Sequence, residues 1–233
     1  MRQVVLDTET TGLEVNKGHR IVEIGCVELL ERRPTGREFH RYVNPQRAMD
    51  EGATAVSGIT DDFLVDKPVF AEVADEFLAF IDGAELIAHN ASFDMGFLEA
   101  EFARLETPVR VAERVGVLDT LSLAREKYPG QKNNLDALCK RLGVDNSHRD
   151  LHGALLDAQL LADVYLAMTA GQGDLGLGSG SEPVREHVHT AVASLIDAAI
   201  RVRYADAAET AAHEARLAAI QKASRDNCRW LRD

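Results

Sequence analysis

Apolar and polar residues in the first third of the chain follow the patterns of β-strands. Three segments rich in Val and Ile predict strands at residues 4–7, 21–29 and 37–43. Turn-forming residues separate them, at residues 11–13 (Thr-Gly-Leu) and 33–36 (Arg-Pro-Thr-Gly). We therefore expect the fold to begin with a sheet.

Helical periodicity dominates the next part of the chain. A helix is predicted between Pro68 and Gly83, where one apolar stripe recurs at helical spacing through Phe70, Val73, Ala74, Phe77, Leu78 and Ile81. A short strand is predicted at residues 85–88, and further helices at about residues 92–105, 119–128, 134–142 and 153–169. Strands followed by helices, with some alternation, predict an α/β protein with a mixed sheet flanked by helices.

The composition changes after residue 170. Residues 171–183 (GQGDLGLGSGSEP) contain five glycines and little to bury, which predicts a flexible linker. Residues 184–233 are rich in Ala and Arg and have a fair helical pattern, but are too few to form a good core alone. We expect a folded domain over residues 1–170, a linker over 171–183, and a C-terminal segment over 184–233 that is frayed or folds on a partner.

Composition narrows the class of protein. Of the 233 residues, 45% are hydrophobic and 27% charged, which is ordinary for a globular protein with a sizeable core. No apolar run approaches the roughly 18 residues of a membrane span, and no signal-peptide pattern opens the chain. Three cysteines without C-x-x-C spacing argue against a disulfide framework or a zinc site. These features predict a cytoplasmic protein without a membrane partner.

The net charge of −12 is unevenly distributed. Residues 1–183 hold 18 basic and 31 acidic residues, whereas residues 184–233 hold 8 and 7. This excess argues against nucleic-acid binding by bulk attraction. The excess of acids is consistent with a site that gathers carboxylates around metal ions. Such a protein would need a partner, or a substrate with a frayed end, to hold a polyanion.

Asp7 and Glu9 are the first candidate site residues. Their i, i+2 spacing at the end of a predicted strand points both side chains to one face. Neighbouring carboxylates repel each other, and a divalent cation that prefers oxygen ligands, Mg²⁺ or Mn²⁺, removes the conflict. The alternative is a strand that simply ends in a charged turn.

Two later segments add further acids. Asp94 falls in the first turn of a predicted helix that Ser92 or Asn90 can cap. It either belongs to a site or only stabilises the helix through its favourable interaction with the helix dipole. Asp157 lies inside an apolar helix, so we expect it to have a partner or a metal ion. His152, five residues earlier, does not share that helix face. We expect it on the preceding loop, as a general base or as a plain surface group.

These residues form an ordered set: D-x-E, then H-N-x-x-F-D, then H-x-x-x-x-D. The set resembles the DEDD family of 3′–5′ exonucleases, in the branch whose last motif carries histidine. Longer stretches, such as VLDTETTGL and HNASFDMGFLEAEF, are similar to the members that proofread bacterial DNA replication. The similarity covers residues 1–172 and resumes at residues 211–217 and 228–230.

The resemblance implies a ribonuclease-H-like fold with a five-stranded mixed sheet. It implies two Mg²⁺ or Mn²⁺ ions held by Asp7, Glu9, Asp94 and Asp157, with His152 as the proton acceptor. The reaction would release nucleoside 5′-monophosphates from a 3′ end. A wider set would bind the terminal nucleotide: Asp7, Glu9, Thr10, Leu13, Ser57, Asn90 and Asp157.

The chain departs from the family at two positions near the terminal nucleotide. Relatives often carry V-H-G-I where this chain has Ser57 within V-S-G-I, and some carry glutamate in place of Gly52. Serine donates a hydrogen bond but carries no charge. We therefore expect altered binding of the last nucleotide with intact metal chemistry, and expect Ser57→His to tighten substrate binding with little change in metal affinity.

The resemblance also implies protein partners. Gln172, Leu175 and Leu177 resemble a weak motif that binds the sliding clamp, although a glycine linker with two chance leucines explains them equally well. The C-terminal segment resembles one that tethers such a nuclease to the polymerising subunit, with Trp230 as an anchor or merely a loosely packed aromatic. Two other hypotheses stay open, a free-standing nuclease that trims RNA or oligonucleotide ends and a non-catalytic scaffold subunit.

Overall fold

Strand β1 (Arg2–Thr10) is the centre of a five-stranded sheet in the computed structural model, which describes residues 1–149, 151–170, 205–223 and 230. The other strands are β2 (Ile21–Leu30), β3 (Arg33–Tyr42), β4 (Glu85–Ala88) and β5 (Gly116–Asp119). Their order is β3-β2-β1-β4-β5; β1 pairs antiparallel with β2 and parallel with β4. The predicted mixed sheet of an α/β fold is confirmed.

Seven α-helices belong to the part of residues 1–170 that the structure describes. They are α1 (Glu51–Ser57), α2 (Asp61–Leu64), α3 (Phe70–Ile81), α4 (Ala91–Phe102), α5 (Thr120–Lys127), α6 (Leu135–Leu142) and α7 (Ala154–Thr169). An eighth, α8 (Ala207–Ala223), lies near the end of the chain. None of the helices among the described residues is long and apolar enough to cross a membrane.

Side chains of β1 alternate between two cores. Val4 and Leu6 pack with Phe97 of α4 and with α3 on one face of the sheet. Val5 packs with Leu161 of α7 on the other face. Beyond α7, a further cluster joins α5, α6 and α7. The sheet is therefore covered on both faces, as its apolar central strand requires.

The turn predicted at residues 33–36 is wrong. These residues belong to β3, and the chain reverses at Glu31 and Arg32, which both have a positive φ (49° and 63°). Two consecutive left-handed residues match the twist of a two-residue hairpin. Pro34 is tolerated because β3 is an edge strand of the sheet.

Other boundaries also differ from the sequence prediction. Helices α1 and α2 and strand β5 were not predicted, and the helix expected at residues 92–105 begins at Ala91 and ends at Phe102. Asn90 occupies its N-cap position with a φ of 69°, and its side chain makes no capping hydrogen bond. Cys26 and Cys139 are buried free thiols, as expected for core cysteines.

The chain divides into two units, Met1–Leu177 and Gly178–Asp233. Within the second unit the structure describes α8, which has no buried residue, and Trp230, whose side chain is 83% exposed. The predicted linker at residues 171–183, with Gln172, Leu175 and Leu177, lies outside the described residues.

Candidate active site

The carboxyl end of β1 brings the predicted acids together. Asp7 and Glu9 alternate in step with Val5, and so lie on the face of the sheet that α7 covers. The first turn of α7 carries Asp157, and the first turn of α4, on the opposite face, carries Asp94. Both helix N-termini favour negative charge at these positions.

A close backbone approach places α7 against the sheet. Gly25 of β2 lies directly opposite Asp7, and a Cβ atom there would stand 2.2 Å from the backbone carbon of Ala154. The amide of Ala154 donates to Oε2 of Glu23, a buried acid of the same strand, over 3.1 Å. The first turn of α7 therefore lies against β2 beside Asp7.

Thr8 links the two faces of the site. Its hydroxyl donates to Oδ1 of Asp94 over 2.7 Å, and the Asp94 side chain is almost completely buried. Because Thr8 lies between Asp7 and Glu9 and points the other way, it joins the β1 carboxylates to the α4 carboxylate. All four predicted acids thus meet at one end of one strand.

An acidic cleft of about 250 Å³ opens over these residues. The loop before α7 supplies His152, whose amide donates to the carbonyl of Val56 and whose Nδ1 lies 3.7 Å from Oδ2 of Asp157. The predicted loop position of His152 is correct. The cleft is lined by Asp7, Thr8, Glu9, His89, Asn134, Leu135, Asp136, Arg149, His152 and Asp157.

Burial and mutual repulsion perturb the carboxylates. Desolvation raises the pKa of Asp7 well above its ordinary value, and the charges of Asp94, Asp157 and Glu9 raise it further. Desolvation and the charge of Glu23 raise the pKa of Glu9 to about 8. Desolvation raises the pKa of Asp94 to about 7, against the hydrogen bond from Thr8. Crowded carboxylates of this kind need positive charge to ionise together.

The donor set fits divalent cations. One atom each of Glu9, His152 and Asp157 can approach a common ion, since these atoms lie within 4.8 Å of one another. Asp7 lines the same cleft, and Asp94 is near enough to Asp7 for its charge to raise the pKa of that acid. Carboxylate oxygens are hard ligands, which Mg²⁺ and Mn²⁺ prefer. The raised pKa values of Asp7, Glu9 and Asp94 show that ionising these acids is unfavourable, and bound cations would remove that cost.

A second cavity, the adjoining groove, shares Thr8, Glu9 and His152 with the acidic cleft and has a volume of about 470 Å³. Its wall includes Thr10 and Leu13, two residues of the expected nucleotide-binding set, and the side chain of Leu13 is 81% exposed. Val56 and Phe93 also line the groove and were not predicted. Their apolar surface suits the face of a base.

Two predicted substrate-binding residues lie away from these walls. The Ser57 hydroxyl donates to the carbonyl of Ala53 and accepts from the amide of Ile59, so it is used within the end of α1. Asn90 is exposed and lines neither the acidic cleft nor the adjoining groove. Its left-handed backbone shapes the start of α4, whose first turn carries Asp94.

Arg149 is the main site residue that sequence reasoning missed. Its guanidinium lies in the acidic cleft and pairs with Asp157. His89 lines the same cleft; its Nδ1 lies 2.9 Å from the Thr120 hydroxyl, and burial lowers the pKa of its ring. The H-N-x-x-F-D segment contained His89 as a signal, whereas nothing near Arg149 in the sequence marked it as a partner of Asp157.

Comparisons with known proteins identify the family of this chain. The model of a protein family described as "Exonuclease" matches residues 4–165. The DNA polymerase III subunit epsilon of Salmonella typhimurium is 50% identical over 98% of this chain and 97% of its own length. The same subunit of Escherichia coli K12 is 49% identical over the same shares, and that of Rickettsia felis 52% over 74% and 76%.

Solved structures give the same fold. Exonuclease X in complex with 5′ overhanging duplex DNA has a TM-score of 0.56 and 28% identity, over 73% of this chain and 94% of its own. Exonuclease I of E. coli in complex with a dT13 oligonucleotide has a TM-score of 0.63 and 19% identity, over 72% of this chain and 41% of its own. The latter likeness concerns the fold alone.

Proposed function

The chain belongs to the exonuclease family and is a proofreading 3′–5′ exonuclease, and we propose that it trims DNA 3′ ends with two divalent cations. The observation that carries this proposal is the convergence of four acids and one loop histidine at the carboxyl end of β1. These are the residues whose order along the chain resembles the DEDD pattern. The exonuclease resemblance drawn from the sequence is confirmed.

Asp7, Glu9, Asp94 and Asp157 would hold the two ions, either Mg²⁺ or Mn²⁺. When bound, a pair of such ions activates a water molecule and offsets the charge of the phosphate and the leaving 3′ oxygen. His152 takes the proton of the attacking water. Its position on a loop, with a half-exposed ring beside Asp157, lets it reach water without being buried among the ligands.

The adjoining groove would hold the terminal nucleotide. Leu13, Val56 and Phe93 present apolar surface for the base, and Thr8 and Glu9 lie where the groove meets the acidic cleft. A nucleotide in the groove would place its 5′ phosphate over the carboxylates. The Ser57 hydroxyl donates a hydrogen bond within α1. Ser57 would therefore affect the terminal nucleotide only indirectly, by shaping the end of that helix.

Protein partners would keep this acidic chain on its substrate. We propose that it works in the cytoplasm as the ε subunit of a DNA polymerase III, bound to the α subunit through its C-terminal segment with Trp230 as an anchor. The exposed Trp230 and the unburied surface of α8 support this role. Tethering raises the effective concentration of a frayed 3′ end, so little intrinsic affinity is needed.

A second contact would join residues 172–177 to the sliding clamp. Gln172, Leu175 and Leu177 would insert into the clamp as a short peptide. Replacing Leu175 and Leu177 by Ala should weaken capture of the clamp while leaving nuclease activity intact. Unchanged capture would identify these residues as plain linker.

Nuclease assays of the purified full chain test the activity. With Mg²⁺ present, release of nucleotides is followed from single-stranded DNA, a matched primer–template, a 3′-mismatched one, and RNA of equal length. We expect faster digestion of single-stranded and mismatched DNA than of matched DNA, and loss of this activity in His152→Ala. Preference for RNA would favour a trimming nuclease instead.

The scaffold hypothesis makes the opposite prediction. No digestion of any substrate, even with the polymerase α subunit added, would support it. A scaffold would also keep its function in Asp7→Ala and gain stability as carboxylate repulsion falls. For an exonuclease we expect Asp7→Ala to abolish digestion.

A further inference from the structure

Arg149 places a positive charge inside the acidic cleft. Its side chain is 7% exposed, and it holds Asp157 through two parallel hydrogen bonds. Nε donates to Oδ1 over 2.5 Å, and Nη2 donates to Oδ2 over 2.6 Å. Paired bonds of this kind are the strongest that arginine makes with a carboxylate.

The same guanidinium also holds the proton acceptor. Nη2 of Arg149 lies 3.1 Å from Nδ1 of His152, and since a guanidinium only donates, the ring nitrogen accepts. A fourth bond runs from Nη1 to Oδ1 of Asp136, over 2.7 Å, at the half-exposed rim of the cleft. One side chain thus engages both a metal-binding acid and the general base.

Arg149 overlaps the candidate cation site. Glu9, His152 and Asp157 offer ligand atoms within 4.8 Å of one another, and Arg149 is bonded to two of these three residues. A divalent ion at Asp157 would face a guanidinium within contact distance of the same carboxylate. Like charges this close in a poorly solvated cleft repel each other strongly. The guanidinium and a divalent ion therefore cannot both bind Asp157 favourably at the same time.

We propose that Arg149 is an exchangeable counter-ion, which neutralises the carboxylate cluster before metal binds and releases Asp157 and His152 when a divalent cation enters. Asp136 keeps the displaced guanidinium at the rim of the cleft. Arg149 is therefore a positioning residue that sets how much metal is needed to assemble the site. The inference rests on the proposed metal binding, and its test does not use nuclease activity.

Titration of the full chain with MnCl₂ by calorimetry tests the exchange. We expect Arg149→Gln to bind Mn²⁺ at least tenfold more tightly than the original chain, because the competing charge is gone. Without metal the variant should unfold at a lower temperature, since the carboxylates lose their counter-ion. Unchanged or weaker Mn²⁺ affinity would overturn the proposal, because an arginine that merely orients Asp157 would strengthen metal binding.

Arg141→Gln is the matched control. Arg141 donates to Oδ1 of Asn133 and to the carbonyl of Lys132, eight or nine residues earlier in the chain, and it lines neither cavity of the site. We expect its Mn²⁺ affinity to stay within twofold of the original. A tenfold gain in this control would mean that loss of any nearby positive charge suffices, which would also overturn the specific role of Arg149.

A second measurement needs no variant. In ¹⁵N-edited NMR spectra, the Nε–H group of Arg149 should exchange slowly in metal-free protein and lose this protection as Mg²⁺ is added. The Nε–H group of Arg20 bonds to the buried Glu101 and serves as the internal reference that stays protected. A protected Arg149 signal at saturating Mg²⁺ would contradict the exchange, whereas failure of the nuclease assays alone would not.

Discussion

Asp7 and Gly25 lie opposite each other in the β1–β2 register, and the space beside Gly25 is filled by the backbone of α7. The missing side chain at residue 25 is what lets the first turn of α7 reach the sheet. Asp157 stands in that turn. The separation of Asp7 and Asp157, the two carboxylates proposed to bind metal from this face, therefore depends on a glycine, which has no side chain.

Gly25→Ala tests this dependence. The added Cβ would come within 2.2 Å of the Ala154 backbone, so α7 must move away. We expect the free energy of unfolding, measured with urea, to fall by about 3 kcal/mol. We also expect exonuclease turnover to fall by at least about 100-fold, because Asp157 is displaced by about an ångström.

The control for this variant is Gly116→Ala. Gly116 is also a strand glycine, and its nearest neighbour to an added Cβ is the Glu85 side chain at 4.0 Å. Turnover should be retained there. An equal loss of activity in both variants would show that α7 is not held by the close approach at Gly25.

Metal-free protein should lose stability as the pH rises. The pKa of Glu9 is raised from 4.5 to about 8 in the folded state. Between these two pH values the unfolded chain has lost the proton of Glu9 and the folded chain still holds it. Stability from this group is complete below about pH 4.5 and is lost as the pH approaches 8. In EDTA, we expect the Tm of Glu9→Gln to fall less between about pH 5 and 8 than that of the original chain.

Glu126→Gln provides the comparison, since Glu126 is an exposed acid on α5 that does not line the acidic cleft. Its Tm should follow the original chain at every pH. Parallel curves for Glu9→Gln and the original chain would show that Glu9 ionises normally. Adding Mg²⁺ should flatten the original curve, because metal binding releases the proton that the fold retains.

A largely buried ion pair ties Arg20, the residue before β2, to α4. Arg20 donates from Nε and Nη2 to the two oxygens of Glu101, over 2.5 and 2.6 Å, and Glu101 is 1% exposed. Arg20→Ala removes both short hydrogen bonds and leaves the buried carboxylate with only the longer ion pair to Arg104, at 3.6 Å. We expect a loss of about 3 to 5 kcal/mol in urea unfolding.

The double variant Arg20→Met with Glu101→Leu separates pairing from burial. Removing both charges should recover most of the stability, since an apolar pair avoids the desolvation cost. If the double variant were as unstable as Arg20→Ala, the loss would come from packing and not from the poorly paired charge of Glu101.

Trp230 reports on the proposed polymerase contact. It is the only tryptophan in the chain and its side chain is 83% exposed. Adding the polymerase α subunit in a tryptophan-free form should shift its emission to shorter wavelength. Trp230→Ala should weaken the complex by about 2 kcal/mol, and Trp230→Phe by less. An unshifted spectrum in a formed complex would exclude Trp230 as an anchor.

The sequence predicted the four acids and His152 because each lies at a recognisable place along the chain. Alternation fixes the shared face of Asp7 and Glu9, and apolar runs locate the helices that carry Asp94 and Asp157. Such signals are local. They say which element bears a residue and roughly where that element ends.

Features that depend on tertiary contacts were missed. The hairpin turn consists of Glu31 and Arg32, which are left-handed but are neither Gly nor Asn, so no turn signal marked it. The turn was instead predicted at residues 33–36 because Pro34 and Gly36 are typical turn residues. Helix α2 has four residues and shows no period. Arg149 acquires its role only when the loop before α7 folds over the cleft.

The order of the strands has a consequence for synthesis on the ribosome. Strand β1 leaves the ribosome some 80 residues before its neighbour β4 and some 150 residues before its covering helix α7. Contacts this distant in sequence form late in folding. The chain therefore has no nuclease centre until its domain is nearly complete, and a truncated nascent product carries no cutting activity.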